Sequence, residues 1–356
     1  MSGPLYSVLA FAVAAGVVWV VTPLLQTLGL RSGNVDRPDE RKHHQNQTVN
    51  LGGIAIFGGV LAAFLLLWGA GAFEDLAPAT EGQVWVLLVG GTAFFVVGLI
   101  DDLRSLPAML RLAIQMAIAV LVWTMGIEVR FVSVLLESIA GTNLSLDWVN
   151  LPVTAIWLVG MANAINWMDG LDGLAAGMSG IAAAVMAAAT AVTAEPASAP
   201  VGLALAGSSL GFLRYNFHPS QIFMGDSGSY FLGFTLAALA AIGLVQTNVL
   251  SAVAIPFLVL AVPIGDMSAV IGMRLLRGHS PLKPDRRHLH HRLLAAGVSQ
   301  RAIAILIYSL TAWVGALALL LVGTPGGVAC VLGATGLLAY ASWHARRQAR
   351  SRHRAD

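Results

Sequence analysis

The sequence predicts an all-α polytopic membrane protein with about eleven transmembrane helices, an outside N-terminus, a cytoplasmic C-terminus and a small extracytoplasmic β-hairpin. The first observation is composition: 57% of the 356 residues are hydrophobic and 11% are charged, a balance far from that of soluble proteins. The second is that uncharged stretches of roughly the 20 residues needed to span a bilayer recur along the chain. The third is that the basic residues collect in alternate loops between these stretches.

Most of the apolar stretches are long enough for one helix each. In order they are 1–30, 51–73, 82–100, 106–126, 148–168, 173–194 and 196–213. Two longer stretches, 227–265 and 302–345, predict two helices each, with breaks near Gln246-Thr247-Asn248 and at Thr324-Pro325-Gly326-Gly327. We expect the first stretch to be a retained helix rather than a signal peptide, because no Lys or Arg precedes Arg31.

The distribution of basic residues predicts the orientation in the membrane. With Arg111 inside a predicted helix, Arg130 is the only other Lys or Arg outside one set of loops, which comprises 31–50, 101–105, 164–172, 214–226, 274–301 and 346–356. Basic loops face the cytoplasm, so we expect this set to be cytoplasmic. No linker divides the chain, which predicts one integral membrane catalytic domain over 1–345 and a basic, disordered cytoplasmic tail over 346–356 near anionic headgroups.

One extracytoplasmic loop is longer than the others. In residues 127–150, apolar residues alternate at Ile127, Val129 and Phe131, and again at Leu144, Leu146 and Trp148 after the turn signal Gly141-Thr142-Asn143. This alternation predicts a small β-hairpin on the outer surface.

A stretch in the middle of the chain places polar groups where hydrocarbon would reject them. Asn163, Asn166, Asp169 and Asp172 recur at every third position between long apolar stretches, and the glycines after both aspartates predict a helix end and a turn. Carboxylate oxygens with an amide carbonyl are ligands for a hard divalent cation, which often shares them with substrate phosphates. The alternative is a polar clasp between membrane helices, but acids within a membrane by default indicate a functional site.

Two further acidic motifs lie on the same predicted face. Asp101 and Asp102 would lie about 100° apart on a helix, so their roles should differ: one could hold or receive a proton at a reacting phosphate, while the other binds a cation or a basic group. Plain solvated charges at a helix end are the alternative. In the segment from Gly225 to Ser229, Asp226 offers a metal ligand and the backbone amides could meet an anion, although such a segment is also an ordinary helix cap.

Cationic groups complete the set. They are Lys42, His43 and His44 in the first cytoplasmic loop, and Arg286, Arg287, His288, His290, His291 and Arg292 in a later one. Zinc is a poor fit to this histidine spacing, since the metalloprotease pattern is absent. Phosphate binding fits better.

Arg111 could snorkel to a lipid phosphate or serve as a topology anchor. Together the motifs indicate phosphoryl chemistry at a lipid, and no Walker-type motif supports ATP-driven transport.

At these motifs the sequence resembles the polyprenyl-phosphate N-acetylhexosamine-1-phosphate transferase superfamily. The resemblance spans the chain and rests on the loop from Asp36-Arg37-Pro38 to Gly53, Asp101-Asp102, Asn166-x-x-Asp169-Gly-x-Asp172-Gly, Phe223-Met-Gly-Asp226-x-Gly-Ser, and Ser280-Pro to Pro284-Asp285-Arg-x-His288-Leu-His290-His291. The last motif resembles the branch that transfers GlcNAc-1-phosphate more than the branch that transfers phospho-MurNAc-pentapeptide in peptidoglycan synthesis.

The resemblance implies a reaction between a UDP-sugar and undecaprenyl (or decaprenyl) phosphate that releases UMP with Mg²⁺ or Mn²⁺ and starts cell-envelope glycan synthesis. It implies metal ligation by Asp226, with Asp102 and Asp172, catalytic roles for Asp101, Asp102, Asp169, Asp172 and His290, and substrate binding by Lys42, His44, Asn166, His288 and His291. Arg111 and Arg286, as cationic groups near the other motifs, complete the predicted substrate-binding set. Asp101 would be the base for the lipid phosphate. The implied setting is the bacterial inner membrane, with the bilayer as a partner, no nucleic acid and a homodimer as an option.

A secondary transporter is the alternative from another class. Its acids would lie in the middle of helices, whereas these lie at the ends of the predicted spans, on one face. The sequence leaves open whether transfer is direct or passes through an aspartyl-phosphate.

Overall fold

A computed structural model describes residues 3–32, 35–36, 48–74, 76–130, 132–133, 135–136, 147–192, 198–243, 249–278 and 288–352. Its helices are α1 (Gly3–Ser32), α2 (Gly52–Gly69), α3 (Pro78–Arg104), α4 (Ala108–Thr124), α5 (Asp147–Met168), α6 (Leu174–Thr190), α7 (Ser198–Asn216), α8 (Gly225–Gly243), α9 (Val249–Val259), α10 (Ala261–Leu276), α11 (Leu289–Ala295), α12 (Gln300–Val322) and α13 (Gly327–Arg352). Two short strands, β1 (Val35–Asp36) and β2 (Thr48–Val49), pair antiparallel.

The described helices have the length and composition of a multi-pass membrane protein. Six of them, α1, α2, α3, α5, α12 and α13, are long and apolar enough to cross a membrane, and α4 and α6 are shorter apolar helices. Large apolar side chains such as Trp68, Ile156 and Leu332 are exposed on the outside of the bundle, as in a protein whose surface faces lipid. The prediction of an all-α membrane protein is therefore confirmed, while the count of eleven spans and their orientation stay predictions.

Helix α8 lies at the centre of the bundle. Helices α3, α5, α2 and α6 pack around it, and Tyr230, Phe231 and Phe234 are among its fully buried side chains. A helix that buries large apolar side chains on several sides belongs in such a position. Its first turn carries the Asp226 motif, so the centre of the fold and one of the predicted polar motifs coincide.

The stretch 227–265 has a break that was not predicted. Helix α8 ends at Gly243 and α9 begins at Val249, with 244–248 outside the described residues, and a second break at Leu260 separates α9 from α10. Pro263 in the first turn of α10 explains this break, because its ring has no amide hydrogen and would clash with the carbonyl of Val259 in a continuous helix.

The predicted hairpin over 127–150 is wrong where the structure describes it. Residues 127–130 have no regular structure and Trp148 lies inside α5, whereas 131, 134 and 137–146 lie outside the described residues. Side chains of α5 take the place of a strand partner: Asn150 donates to Glu128 Oε1 over 2.6 Å, and the Val129 amide donates to Thr154 Oγ1 over 2.9 Å.

The basic tail predicted to be disordered from Arg346 is helical. Helix α13 continues to Arg352, and only 353–356 lie outside the described residues. Ala, Arg and Gln dominate the segment, and these residues have high helix propensity. The predicted loop 274–301 likewise contains the end of α10 and all of α11.

Candidate active site

The start of α8 is held by a carboxylate from α3. Asp102 accepts hydrogen bonds from the backbone amides of Asp226 (2.8 Å) and Ser227 (3.0 Å), and from Nδ2 of Asn50 (3.1 Å). The first amides of a helix have no partner within the helix and carry partial positive charge, so a half-buried carboxylate there fixes the helix start. Asp102 therefore positions Asp226, and both of its oxygens are in use.

Two glycines make this contact possible. At Gly98 of α3, a Cβ atom would lie 2.4 Å from the carbonyl oxygen of Asp226. At Gly225, where φ is +74°, a Cβ atom would lie 2.6 Å from Oδ2 of Asp102. A larger residue at either position would push α3 and α8 apart.

Asp101 makes different contacts from its neighbour, as the helical geometry predicts. It is 5% exposed, accepts from the Leu106 amide over 2.6 Å and forms an ion pair with Arg111 of α4. Nη1 of Arg111 also lies 3.4 Å from Oδ2 of Asp226. Arg111 thus links two of the acidic motifs.

The amide of Asn166 on α5 contacts α8. Its Nδ2 donates to Oδ1 of Asp226 (2.7 Å) and to Oγ of Ser229 (3.0 Å). These two bonds use both N–H groups of the amide, which leaves the side-chain carbonyl as the group that a cation would meet.

Asp169 lies in the turn after α5, beyond the last helical residue. Burial, and after it the carboxylates of Asp226, Asp102 and Asp172, raise the pKa of Asp169 well above its usual range. The turn itself is fixed at Gly173: the Asn216 side chain accepts from its amide over 3.1 Å, and the Tyr308 hydroxyl donates to its carbonyl over 2.6 Å. Carboxylates that raise one another's pKa favour a cation in their neighbourhood.

The donor set fits a hard divalent cation. In the described part of the chain, no group of three or more His, Cys, Asp or Glu residues stands ready to hold an ion unaided. Mg²⁺ commonly takes one or two carboxylates and completes its shell with water and substrate phosphates. The carboxylates of Asp226 and Asp169, with the Asn166 carbonyl, match that requirement.

Asp172 is committed to a neighbouring loop. Nδ1 of His218 lies 2.6 Å from its Oδ2, and the amide and hydroxyl of Ser220 donate to its two oxygens over 3.1 Å and 3.0 Å. These contacts favour a positioning role for Asp172 rather than the metal-ligand role that the resemblance implies. The sequence analysis missed His218, although it lies in a predicted cytoplasmic loop.

An aspartate of α10 holds the histidine motif, which comprises His288, His290 and His291. Oδ2 of Asp266 lies 2.7 Å from Nδ1 of His288, and Oδ1 accepts from the Leu289 amide over 2.7 Å. His290 is 1% exposed and packs on the turn beside Asp169, since a Cβ atom at Gly170 would lie 2.4 Å from its Nε2.

The rings of this motif form a stack against α5. His288 meets Trp167 edge to face at 5.7 Å between ring centroids, and the His290 and His291 rings are 4.3 Å apart. Asp266 was missed by the sequence analysis, although a single acid in an apolar stretch is itself a signal. Lys42, His44 and Arg286 lie outside the described residues.

The fold and the site together define a class: a multi-pass membrane protein whose acidic and basic side chains meet at the ends of its helices. Comparison with known proteins narrows this class. The family described as glycosyl transferase family 4 matches residues 84–244. A probable undecaprenyl-phosphate N-acetylglucosaminyl 1-phosphate transferase of Bacillus subtilis is 37% identical, over 85% of this chain and 81% of the relative.

Two other relatives are named as the same kind of transferase. A decaprenyl-phosphate N-acetylglucosaminephosphotransferase of Mycolicibacterium smegmatis is 36% identical, over 90% of this chain and 83% of the relative. An undecaprenyl-phosphate alpha-N-acetylglucosaminyl 1-phosphate transferase of Escherichia coli K12 is 28% identical, over 77% of this chain and 73% of the relative. The chain belongs to glycosyl transferase family 4, and the resemblance read from the motifs is confirmed.

Proposed function

We propose that this protein transfers GlcNAc-1-phosphate from UDP-GlcNAc to undecaprenyl or decaprenyl phosphate, releases UMP and so starts a lipid-linked cell-envelope glycan. The observation that carries the proposal is the contact of Asp226 with both Asn166 and Arg111, because it joins three separate motifs at one helix start. The printed activities of the relatives supply the substrates.

The reaction is a direct displacement. An oxygen of the lipid phosphate attacks the phosphorus that carries the sugar, the bond from that phosphorus to the bridging oxygen breaks, and UMP leaves with the electron pair. A divalent cation, Mg²⁺ or Mn²⁺, would be held by Asp226, Asp169 and the Asn166 carbonyl and would neutralise charge on the diphosphate. Arg111 and the histidine motif beside Gly170 supply further positive charge and hydrogen bonds to phosphate oxygens.

Asp101 acts through Arg111 in this mechanism. Its carboxylate is paired with that guanidinium and with the Leu106 amide, so it holds Arg111 in place for the reacting phosphate. A phosphate monoester has a second pKa of about 6, so most of the lipid phosphate is already a dianion near neutral pH and needs no strong base. Asp101 as the base, which the resemblance implies, is the alternative.

The setting that supports this chemistry is the inner membrane of a bacterium, with the site on the cytoplasmic face. UDP-sugars are cytoplasmic, and the site residues border the loops that carry the basic residues. The polyprenyl chain then stays in the bilayer while its phosphate reaches the ends of α3, α5 and α8.

The test measures UMP release by the purified protein from each of a panel of UDP-sugars in the presence of undecaprenyl phosphate. Each reaction is run with Mg²⁺, with Mn²⁺ and with a chelator. We expect metal-dependent release with UDP-GlcNAc, loss on chelation and loss in Asp226→Asn. Release with UDP-MurNAc-pentapeptide alone would assign the protein to the peptidoglycan branch. Ion-coupled uptake in proteoliposomes without UMP release would make it a transporter.

A further inference from the structure

A buried tyrosine near the acidic residues has a hydroxyl group with no hydrogen-bond partner in the described part of the chain. Tyr230 is 0% exposed, and its hydroxyl has no hydrogen-bond partner among the described residues. Three other tyrosine hydroxyls donate to carbonyl oxygens: Tyr6 to Ala70, Tyr215 to Trp19 and Tyr308 to Gly173. An unmade hydrogen bond at a buried hydroxyl is unfavourable, so this exception requires an explanation.

The position of Tyr230 relates it to the site. On α8, positions 226 and 230 are one turn apart and share a face of the helix, so Tyr230 follows Asp226 by about 6 Å along the axis. Arg111, which pairs with Asp101, lies 3.4 Å from Oδ2 of Asp226, so this group of charged side chains lies at the site end of the helix face that carries Tyr230. Because α8 starts at the site and runs into the bundle, Tyr230 lies on the membrane side of Asp226.

We propose that the Tyr230 hydroxyl donates a hydrogen bond to the phosphate of the polyprenyl substrate while Arg111 pairs with the same phosphate. The inference rests on the proposed function. A phosphate oxygen is the acceptor that this hydroxyl lacks, and a neutral donor can approach it without adding a charge to a crowded site. The nucleotide sugar arrives from water at the helix ends, whereas the lipid phosphate arrives from the bilayer, the side on which Tyr230 lies.

Tyr230→Phe tests this assignment because it removes the hydroxyl and keeps the ring. We expect the KM for undecaprenyl phosphate to rise about tenfold, as for the loss of one hydrogen bond to a charged group, while the KM for UDP-GlcNAc changes less than about twofold. The temperature of unfolding without substrates should not fall, because no protein hydrogen bond is lost.

Tyr6→Phe is the matched control. Its hydroxyl donates to Ala70 beyond the end of α2 that is remote from the site, so both KM values should stay at the wild-type level. An unchanged KM for the lipid in Tyr230→Phe would overturn the inference. A lower unfolding temperature with equal increases in both KM values would also overturn it, because it would indicate a structural role.

A binding measurement separates this inference from the proposed function. The shift in unfolding temperature caused by undecaprenyl phosphate alone can be compared between wild type and Tyr230→Phe, with no nucleotide present. If wild type releases no UMP in the transfer assay, the proposed function fails. The hydrogen bond is then still supported by a smaller lipid-induced shift in the variant, and overturned by an equal one.

Discussion

Asp101 and Asp102 are neighbours on α3 and have different partners. Asp101 pairs with Arg111, whereas Asp102 holds the start of α8, as expected for side chains about 100° apart on a helix. The partners themselves were not predictable as a set, because the amides of Asp226 and Ser227 and the side chain of Asn50 come from distant parts of the chain. A carboxylate in a motif therefore indicates a site, while its contacts decide its role.

The different roles of Asp102 and Asp226 give a first prediction. Asp102→Asn offers one acceptor oxygen where two helix amides need partners, so it should lower the free energy of unfolding by about 1–3 kcal/mol and reduce UMP release. Asp226→Asn should abolish UMP release without lowering stability, because its amide carbonyl can still accept from Asn166 and one acid is removed from a cluster of acids.

Thermal unfolding and UMP release, measured on both variants in one preparation, check the pair. Equal stability of Asp102→Asn and wild type would contradict the positioning role of Asp102.

Asp266 carries the second prediction. Its carboxylate binds both His288 and the amide that follows it, so Asp266→Leu should release the histidine motif from α10. We expect the KM for UDP-GlcNAc to rise at least about tenfold, as for loss of a charge-assisted hydrogen bond. Asp266→Asn keeps an acceptor for the Leu289 amide and should have a smaller effect. Steady-state kinetics decide the matter, and equal defects in the two variants would contradict the assignment.

Among the secondary-structure elements, the helices could be predicted from the sequence, whereas the contacts between segments could not. The alternation at 127–130 reflects real burial, since Ile127 and Val129 are buried while Arg130 is exposed. That pattern arises because an irregular segment packs against α5, and it is the same pattern that a half-buried strand would show. The break at Leu260 and the helical end of α13 depend on local residues, Pro263 and the Ala- and Arg-rich segment, and were within reach of the sequence.

The contact between α3 and α8 gives the third prediction. Gly98→Ala would place a methyl group against the Asp226 backbone and displace the start of α8, so we expect at least about a tenfold loss of kcat. Gly82→Ala is the matched control in the same helix, because no atom lies within 4 Å of its added Cβ.

The control should be active and more stable by about 0.5–1 kcal/mol, as expected for glycine replaced by alanine in a helix. The two variants are compared by UMP release and thermal unfolding. A fully active Gly98→Ala protein would show that α8 tolerates a shift of its first turn.

For the whole molecule, charge distribution predicts which end of the bundle holds the site. Helix α3 runs from Pro78 to Asp101 and Asp102 near its other end, so its start and the site should lie on opposite faces of the membrane. Among the helices that the structure describes, six qualify as membrane spans by length and composition. Helices that bring polar groups into the site, such as α8 with Asp226 and Ser229, begin with polar residues, so counting spans from apolar stretches alone is least accurate around the site.

Labelling of introduced cysteines tests this orientation, and the last prediction is which membrane face each introduced cysteine lies on. In a Cys330→Ser background, which removes the single cysteine of the chain, Ala79→Cys at the start of α3 and Ala296→Cys after α11 are both exposed positions. A membrane-impermeant maleimide should label Ala79→Cys in intact cells, and Ala296→Cys only in inverted membrane vesicles. The opposite pattern would separate the site from cytoplasmic UDP-sugars. Labelling of both positions from the same side would show that the start of α3 and the histidine motif share a face, and the assembly of the site from the ends of α3, α5, α8 and α11 would then be wrong.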